Sequence, residues 1–471
     1  MTDKFYITTT LPYVNAAPHV GFALEIVQAD AIARYQRFLG KEVVFNFGTD
    51  EHGQKIYQKA LEQHKDPKIY CDEYAAKFDD LKRALNLSYT NFVRTTDEYH
   101  IKAAQEFWKK CLVGGDIYKK QYKIKYCVGC ELEKTDSELV EGKCPLHPNQ
   151  ELEIIEEENY FFRFSKYQQA LLDYYEGHPD FVVPGSRFNE IKTFVKSGLE
   201  DFSVSRLKSK MPWGIDVPGD PDQVMYVWFD ALINYISTLG WPEDGERFRG
   251  FWPGLQVAGK DNLRQQTAIW QAMLMSAGLP NSRQIFIHGF LTVNGQKISK
   301  SLGNAINPIE LVKKYGADAV RYYLLAKVHP WEDSDFTAAK FEEALNADLA
   351  NGLGNLVARI AKLAQNSEGN FAESKTESDK EVAEEIGKFR FDYAMEKIWQ
   401  KIKKLDQKVE EYKLWTLNGK ELIEKLDEFV PEVRQIAFDL QPFLPETAEK
   451  ITRQFEGPKI KASAPLFPRI K

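Results

Sequence analysis

Two short segments, almost three hundred residues apart, most constrain how this chain can fold. The first reads LPYVNAAPHVGF at residues 11–22, and the second reads GQKISKSLGN at residues 295–304. The β-formers at residues 5–10 predict a strand before the first segment, and apolar residues at helical spacing predict a helix after it. A loop between a strand and a helix directs N–H groups and the positive helix dipole to one point, which suits phosphate. Lys297 and Lys300, in the second segment, can neutralise phosphoryl oxygens.

Strand and helix patterns alternate over residues 1–115 and again over residues 221–292. Such alternation predicts an α/β fold with a parallel sheet and right-handed crossovers. A tyrosine-, lysine- and glutamate-rich stretch with hairpin-like alternation, residues 116–220, is interpreted as an insertion. Only helical patterns follow residue 338, which predicts a helix bundle. Strands are expected at residues 42–47, 224–228, 256–259 and 284–291.

A cluster of cysteines lies inside the insertion. Cys127 and Cys130 form one pair at x2 spacing, Cys144 and His147 form another, and thirteen residues separate the pairs. Two such pairs on tight turns can complete a tetrahedron around a metal ion. Clustering of three of the five cysteines disfavours a disulfide framework. Four protein ligands leave no open coordination position, so we expect one structural zinc ion.

The composition is that of a globular protein, with 43% hydrophobic and 28% charged residues in 471. No apolar run reaches the length of a membrane span, and the N-terminus shows no signal-peptide pattern, so a cytoplasmic location without a membrane partner is expected. The net charge of −7 means that any RNA contact must use local basic patches.

Taken together, these motifs resemble those of a known enzyme family. PHVG at residues 18–21 resembles the HIGH motif of class I aminoacyl-tRNA synthetases, and KISKS at residues 297–301 resembles their KMSKS loop. Further segments are similar to the methionyl-tRNA synthetase family within that class, over nearly the whole chain: LPYVN at 11–15, GTDEHG at 48–53, YVWFDA at 226–231 and GKD at 259–261.

The resemblance implies a Rossmann-type parallel-sheet catalytic domain with a zinc-binding insertion, followed by an all-α anticodon-binding bundle. The implied domains are residues 1–115 with 221–292 (catalytic), 116–220 (insertion), 293–337 (lysine loop and tRNA-stem contact) and 338–471 (anticodon binding). The implied reaction joins methionine to tRNA through methionyl-adenylate, with ATP as co-substrate and Mg²⁺ bound to it.

Site residues follow from the same resemblance, position by position. His19, Lys297 and Lys300 are expected to be catalytic. The expected ATP-binding residues are Pro18, His19, Gly21, Phe22, Lys297, Ser299 and Lys300. The expected methionine-binding residues are Leu11, Tyr13, Asp50, Arg206, Trp228, Ala231, Tyr235, Asn262 and Gln266. Asn355, Arg359 and Trp415 are expected to read the anticodon, and Cys127, Cys130, Cys144 and His147 to hold the zinc.

The resemblance implies a separate role for several of these residues. Asp50 matches the carboxylate that holds the substrate ammonium, although it can also be an ordinary helix cap. Arg206 matches the arginine that holds the substrate carboxylate, and Asp230 is expected to support Trp228. The alternative for Trp415 is a place in the core of the bundle.

The chain departs from the family pattern at three positions. Phe22 stands where the motif usually ends in histidine, and it cannot donate a hydrogen bond to phosphate. Asn262 and Gln266 stand where an aliphatic residue and a histidine are usual, and their spacing of four predicts that both line the methionine pocket. We expect Gln266 to contact the methionine sulfur or a tyrosine hydroxyl. The alternative is a pocket that accepts polar analogues or another amino acid.

Three other functions stay open from the sequence. They are a class I synthetase for another amino acid, a nucleotidyltransferase with the same His-x-Gly motif, and a non-catalytic tRNA-binding paralogue, which Phe22 leaves open. The all-helical last third argues against the nucleotidyltransferase. The sequence ends soon after the bundle, so no appended dimerisation domain is expected and a monomer is favoured.

Overall fold

The computed structural model describes residues 3–134, 138–298 and 303–470. They pack as two compact units. The first unit contains residues 1–17, 42–80 and 89–287, and the second contains residues 18–41, 81–88 and 288–471. Each unit therefore joins parts of the chain that are distant in sequence. The domain boundaries given above stay a prediction.

The strands of the described residues belong to a large parallel sheet and three smaller sheets. They are β1 (Lys4–Thr9), β2 (Glu42–Thr49), β3 (Asn91–Arg94), β4 (Ile117–Cys127), β5 (Leu132–Lys134), β6 (Glu153–Phe162), β7 (Val182–Val183), β8 (Phe202–Ser203), β9 (Ser205–Leu207), β10 (Asp216–Val217), β11 (Asp220–Met225), β12 (Leu255–Gly259), β13 (Gln284–His288), β14 (Leu291–Val293), β15 (Gln296–Lys297) and β16 (Ser334–Phe336).

The helices alternate with strands at first and then follow one another without strands. They are α1 (Val20–Phe38), α2 (Gln54–Glu62), α3 (Pro67–Ala84), α4 (Glu98–Val113), α5 (Gln168–Gly177), α6 (Gly185–Lys196), α7 (Val227–Leu232), α8 (Asn234–Ser237), α9 (Gly245–Phe251), α10 (Trp270–Ser276), α11 (Pro308–Tyr315), α12 (Ala317–Ala326), α13 (Ala338–Ala344), α14 (Asn355–Ser367), α15 (Lys380–Gly387), α16 (Phe391–Glu411), α17 (Gly419–Leu440) and α18 (Pro445–Phe455). Two π-helical segments, Gln265–Ile269 and Leu345–Gly354, precede α10 and α14.

The first unit is built on a six-stranded sheet with the order β3-β2-β1-β12-β13-β7. Strand β1 pairs in parallel with β2 and β12, so the predicted parallel α/β sheet is confirmed. The chain leaves β1 and β2 at the same edge of the sheet. There, Val14 N donates to Asp50 O at 3.2 Å, and Asp50 N donates to Pro12 O at 2.9 Å. These bonds fix the two loops that carry the predicted pocket residues.

The insertion in the first unit forms two antiparallel sheets. The long strands β4 and β6 pair over their whole length, with β5 and β8 at the edges. Residues 205–225 form a second sheet with the order β10-β11-β9. The strand expected at residues 224–228 is wrong in two respects. Strand β11 ends at Met225, and helix α7 begins at Val227. Strand β11 also pairs antiparallel with β9 and is not part of the parallel sheet. A short apolar run that is buried on all sides has no periodicity that separates strand from helix.

The strand expected at residues 284–291 is divided in the structure. Strand β13 ends at His288, and β14 begins at Leu291 in a different sheet. Between them, Gly289 lies against the backbone, since a Cβ atom added there would be only 2.2 Å from Glu332 O. This close approach breaks the strand.

The second unit contains α1, the small sheet β15-β14-β16 and the helices from α11 onward. The predicted start of α11 is confirmed, because Asn307 Oδ1 accepts a hydrogen bond from Ile309 N at 2.9 Å and Pro308 occupies the first turn. The described residues after 338 contain no strand, as predicted. One face of α16 is buried along its length: Phe391, Ala394, Met395, Ile398, Ile402, Leu405 and Val409.

A buried arginine holds the elements of the second unit together. Arg321 on α12 is fully buried and lies 2.7 Å from Asp30 Oδ2 on α1. The same guanidinium donates to Phe443 O, Pro442 O and Leu85 O. Removing one partner of a buried pair costs about 3–5 kcal/mol, so this cluster is a major anchor of α1. Within the described part of the chain, no helix is both long and apolar enough to cross a membrane.

Candidate active site and metal-binding residues

Several buried polar atoms of the first unit have no hydrogen-bond partner among the described residues. Tyr13 Oη, Asp50 Oδ1 and Trp228 Nε1 belong to this set and lie on neighbouring residues. The rings of Tyr13 and Trp228 pack edge to face with centroids 6.3 Å apart, and Tyr13 bridges to Asp50 through the backbone. Each such atom costs about 1–3 kcal/mol when it is left unpaired. Their grouping is typical of a pocket whose polar atoms are paired by a ligand.

The electrostatics of Asp50 favour a cationic ligand. Asp50 is 3% exposed. Burial raises the pKa of its carboxyl well above the usual range, and the carboxylates of Asp230 and Glu131 raise the pKa further. An ammonium group bound beside Asp50 would offset both effects, because opposite charge stabilises the ionised form.

Asp230 is buried like Asp50, but two histidines contact its carboxylate. His52 Nδ1 lies 2.6 Å from Asp230 Oδ2, and His100 Nε2 lies 2.8 Å from Asp230 Oδ1. Burial acts to raise the pKa of Asp230, but the two histidines outweigh it and the pKa is lowered. Asp230 is therefore an anchor of α7, the helix that carries Trp228 and the buried Ala231. The contacts of the two histidines with Asp230 could not be predicted, because they join residues that are distant in the chain.

Arg206 lies in strand β9 and is positioned by Ser205 of the same strand and by Ser203 of β8. It is buried, and its Nη1 donates to Ser203 Oγ at 2.7 Å and to Ser205 O at 2.8 Å. Its guanidinium stacks over the ring of Tyr226 at 4.4 Å and faces Tyr126 at 5.2 Å. A rigid guanidinium of this kind suits a carboxylate ligand.

The two unusual amides differ in their surroundings. Gln266 is buried in the π-helical segment, and its Nε2 donates to Tyr235 Oη at 2.6 Å. The predicted amide–tyrosine contact is thus confirmed. Asn262 is partly exposed, and its Nδ2 lies 3.3 Å from Asp261 Oδ1. Its place in the methionine pocket stays a prediction, as does that of Leu11, which is half-buried after β1.

Residues 18–22, the last part of the first segment, belong to the second unit together with the start of the lysine segment. His19 occupies the N-cap position of α1, and Val20 N donates to Ile306 O at 2.9 Å. A Cβ atom on Gly21 would lie 3.2 Å from His19 Nδ1 and 3.1 Å from Ile298 Cδ1. Glycine therefore allows the imidazole and the start of the lysine segment to lie together over the first turn of α1. Pro18 is buried and Phe22 is half-buried at the same place.

The lysine segment starts from a β-hairpin that sequence reasoning missed. Asn294 and Gly295, with φ of 52° and 73°, form the two-residue turn between β14 and β15. An Asn-Gly pair is the usual signal for such a turn. Asp335 Oδ1 accepts hydrogen bonds from Gly295 N and Thr292 Oγ1, each at 2.7 Å. Lys297 is exposed at the end of β15, whereas Ser299 and Lys300 lie outside the described residues.

The predicted metal ligands converge. One ligand atom from each of Cys127, Cys130, Cys144 and His147 lies within 4.8 Å of the others. Cys130 Sγ is 3.5 Å from Cys144 Sγ and 3.1 Å from His147 Nδ1. Two sulfurs on a tetrahedral zinc ion, each at about 2.3 Å, are about 3.8 Å apart. The cluster can therefore hold a metal ion, and three sulfurs with one imidazole match the donors that zinc prefers.

Glu131 joins the metal cluster to helix α2 and to Tyr226 before α7. The buried Glu131 carboxylate accepts a hydrogen bond from Lys55 N, at the start of α2, at 2.8 Å. Lys55 Nζ donates to Gly129 O at 3.2 Å, and the Tyr226 hydroxyl donates to Glu131 O. No sequence pattern pointed to these contacts.

The predicted anticodon residues share one surface of the second unit. Trp415 is 50% exposed, so the alternative that it is a core residue is wrong. The Arg359 guanidinium lies 5.5 Å from the centre of the Trp415 ring. Arg359 also pairs with Asp406 at 3.2 Å and with Glu410 at 2.7 Å. Asn355 is exposed one helical turn before Arg359 on α14.

Comparison with known proteins places the chain in one class of enzymes. A family model described as "tRNA synthetases class I (M)" matches residues 5–153 and 148–361. The chain thus belongs to the class I aminoacyl-tRNA synthetases. A methionine–tRNA ligase of Thermotoga maritima is 43% identical over 96% of this chain and 75% of the relative. That of Thermosynechococcus vestitus is 50% identical over 77% of this chain and 70% of the relative.

A solved structure of a methionyl-tRNA synthetase has the same fold as this chain. Mycobacterium tuberculosis methionyl-tRNA synthetase, in complex with methionyl-adenylate, matches with a TM-score of 0.92 and 34% identity, over 99% of this chain and 100% of that chain. Within its class, the chain belongs to the methionyl-tRNA synthetase family, and the predicted resemblance is confirmed. It is an aminoacyl-tRNA ligase that joins methionine to tRNA with ATP.

Proposed function

We propose that Asp50 and Arg206 hold the two charged groups of methionine during its activation. The observation that carries this proposal is the group of unpaired buried atoms on Tyr13, Asp50 and Trp228. Asp50 would bind the ammonium group and Arg206 the carboxylate, while Tyr13, Trp228, Ala231 and Tyr235 enclose the side chain. A thioether needs an apolar wall with few polar groups, and these residues supply one. ATP–pyrophosphate exchange with methionine tests the proposal.

We propose that ATP is bound by the second unit. His19 and the first turn of α1 can bind phosphate oxygens, because the turn contributes N–H groups and the positive dipole end. Lys297 and Lys300 would neutralise the leaving pyrophosphate, and Mg²⁺ bound to ATP adds positive charge. No protein nucleophile is needed, since the methionine carboxylate attacks the α-phosphate itself. The predicted domain roles, cytoplasmic location and monomeric state belong to this proposal.

The acid limb of the pH profile should report Asp50. Only ionised Asp50 attracts the ammonium group, so methionine binding releases the proton that the raised pKa retains. As the pH falls through that raised pKa, kcat/KM for methionine should fall, at a higher pH than for an exposed aspartate. Asp50→Asn should lack this limb. An unchanged acid limb in Asp50→Asn would assign the titration to another group.

We propose that Cys127, Cys130, Cys144 and His147 bind one structural zinc ion. Gly129 is expected to be essential, because a Cβ atom there would lie 2.6 Å from the His147 ring. Purified wild-type protein should contain one zinc per chain, and Gly129→Ala should contain much less, as measured by mass spectrometry of the metal. Gly177→Ala, where a Cβ atom meets nothing within 4 Å, is the matched control. Wild-type protein without zinc would refute the assignment.

We propose that Asn355, Arg359 and Trp415 read the anticodon. Unpaired bases stack on aromatic rings, and each stack contributes about 1–3 kcal/mol. Trp415→Ala should therefore lower kcat/KM for tRNA charging by about 5- to 150-fold and leave pyrophosphate exchange unchanged. Tyr393→Ala is the control, since Tyr393 is 46% exposed and has Arg390 over its ring at 3.4 Å. Equal loss of both activities in Trp415→Ala would mean misfolding rather than lost recognition.

A further inference from the structure

Glu51, the residue directly after Asp50, is held at all four of its polar atoms. It is buried, with none of its surface exposed. Its backbone N donates to Thr95 Oγ1 at 2.9 Å, and its backbone O accepts from Trp213 Nε1 at 2.5 Å. Arg94 binds both carboxylate oxygens, because its Nε donates to Oε1 at 2.6 Å and its Nη2 donates to Oε2 at 2.8 Å. The position of Glu51 is therefore fixed by its main chain and by its side chain.

The pair formed by Glu51 and Arg94 is supported from both ends. Thr49 Oγ1 donates to Glu51 Oε1 at 2.7 Å, and Thr96 Oγ1 donates to Glu51 Oε2 at 2.5 Å. On the other side, Arg94 Nη2 lies 2.6 Å from Asp72 Oδ1. Burial acts to lower the pKa of Arg94, but hydrogen bonds and charge from Glu51 and Asp72 outweigh it, so the pKa is raised. Two parallel bonds from a charged, planar guanidinium define the geometry of the pair closely.

Asp50 lies between two anchored positions. On one side, its own backbone is bonded to Pro12 O and Val14 N in the loop after β1. On the other side, Glu51 ties the loop after β2 to Arg94 at the end of β3. A buried ion pair adds little net stability compared with apolar residues of the same volume, so the stronger contribution of this pair is to position. The place of the Asp50 carboxylate thus depends on both anchors.

We propose that Glu51 and Arg94 are positioning residues for methionine binding, because their two-point ion pair holds the Asp50 carboxylate where the substrate ammonium binds. This inference rests on the proposed role of Asp50 in ammonium binding. A displacement of about 1 Å in a positioned group can cost up to about a hundredfold in rate. Asp50 binds the ammonium equally in the ground state and in the transition state, so its displacement should raise the methionine KM and leave kcat unchanged.

Pyrophosphate exchange by two variants of Arg94 tests the proposal. Arg94→Met removes the pair and should raise the methionine KM by about ten- to a hundredfold, with the ATP KM and kcat unchanged. Arg94→Lys keeps the charge but loses the two-point geometry, so its methionine KM should be intermediate. Arg187→Met is the matched control, because Arg187 on α6 pairs with Glu190 at 2.6 Å at the surface of the same unit. A lower kcat with an unchanged methionine KM in Arg94→Met would overturn the proposal, since it would show a role in folding alone.

A milder variant and a double mutant complete the test. Thr96→Val keeps the shape of the side chain, removes one hydrogen bond to Glu51, and should raise the methionine KM by about fivefold. If Arg94→Met does not fold, an unchanged methionine KM in both Thr96→Val and Arg94→Lys would overturn the proposal. Asp50→Asn with Arg94→Met should bind methionine no more weakly than Asp50→Asn alone, because Arg94 acts through Asp50. An additive loss would refute that connection, whereas an unchanged methionine KM in Asp50→Asn alone would instead refute the proposed role of Asp50.

Discussion

Asp50→Asn is expected to lower kcat/KM for methionine in pyrophosphate exchange by at least about a hundredfold, since breaking a buried ion pair costs about 3–5 kcal/mol. Asp50 is 3% exposed and its Oδ1 has no partner among the described residues, so the substrate ammonium is its natural partner. Asparagine keeps the shape of the side chain but loses the charge. The loss should appear in the KM for methionine and not in the KM for ATP.

The control for Asp50→Asn is Asp222→Asn, which makes the same change at an exposed aspartate on β11 of the same unit. Asp222→Asn should leave the KM values for methionine and ATP unchanged. Thermal unfolding of each variant shows whether the fold is kept. A loss below tenfold for Asp50→Asn, or an equal rise in both KM values, would contradict the role of Asp50 in ammonium binding.

Lys300→Ala is expected to slow methionyl-adenylate formation by about two to three orders of magnitude, the usual cost of losing one electrostatic contact to a transition state. The lysine acts on charge that develops on the leaving pyrophosphate, so kcat should fall more than KM rises. Although Lys300 lies outside the described residues, the hairpin before it is anchored by Asp335, and Ile298 Cδ1 lies against Gly21 in the first turn of α1.

Single-turnover formation of adenylate measures the effect of Lys300→Ala directly. Lys313→Ala is a matched control, because Lys313 is an exposed lysine of α11 in the same unit, paired with Glu310 at 2.8 Å. It should leave the rate unchanged. A loss of less than threefold in Lys300→Ala would mean that Lys297 and the start of α1 are sufficient for pyrophosphate departure.

Local sequence signals predicted the elements that depend on local physics. The β-formers before residue 11 gave β1, and the pattern after it gave α1. The x2 spacing of Cys127 with Cys130, and of Cys144 with His147, predicted a cluster that the structure brings together. The Asn307–Pro308 pair predicted the start of α11. Each of these signals lies within a few residues of the structure that it determines.

What the sequence could not predict depends on contacts between distant residues. The run at residues 224–228 is apolar, and its periodicity did not show that helix α7 begins at Val227. The contacts of Asp230 on that helix with His52 and His100 join residues that are distant in the chain. The hydrogen bonds that connect Ser282, Gln256, Gln266 and Tyr235 join residues up to 47 positions apart, since 282 − 235 = 47. The π-helical segment changes the helical phase at Gln266, which the spacing of four from Asn262 did not anticipate.

The departure at Phe22 bears on catalysis but not on family membership. Phe22 is half-buried beside His19 in the first turn of α1. Because phenylalanine cannot donate a hydrogen bond, phosphate contacts in this chain would rest on His19, the helix start and the lysine segment. Restoring the usual histidine is therefore a direct probe of whether the position serves binding or packing.

Pyrophosphate exchange with each standard amino acid, measured on the wild-type chain with ATP and Mg²⁺, tests the central claim most directly. We expect methionine to give the highest kcat/KM, because the pocket offers a carboxylate for the ammonium group and an aromatic wall for the thioether. More efficient activation of any other standard amino acid would contradict it.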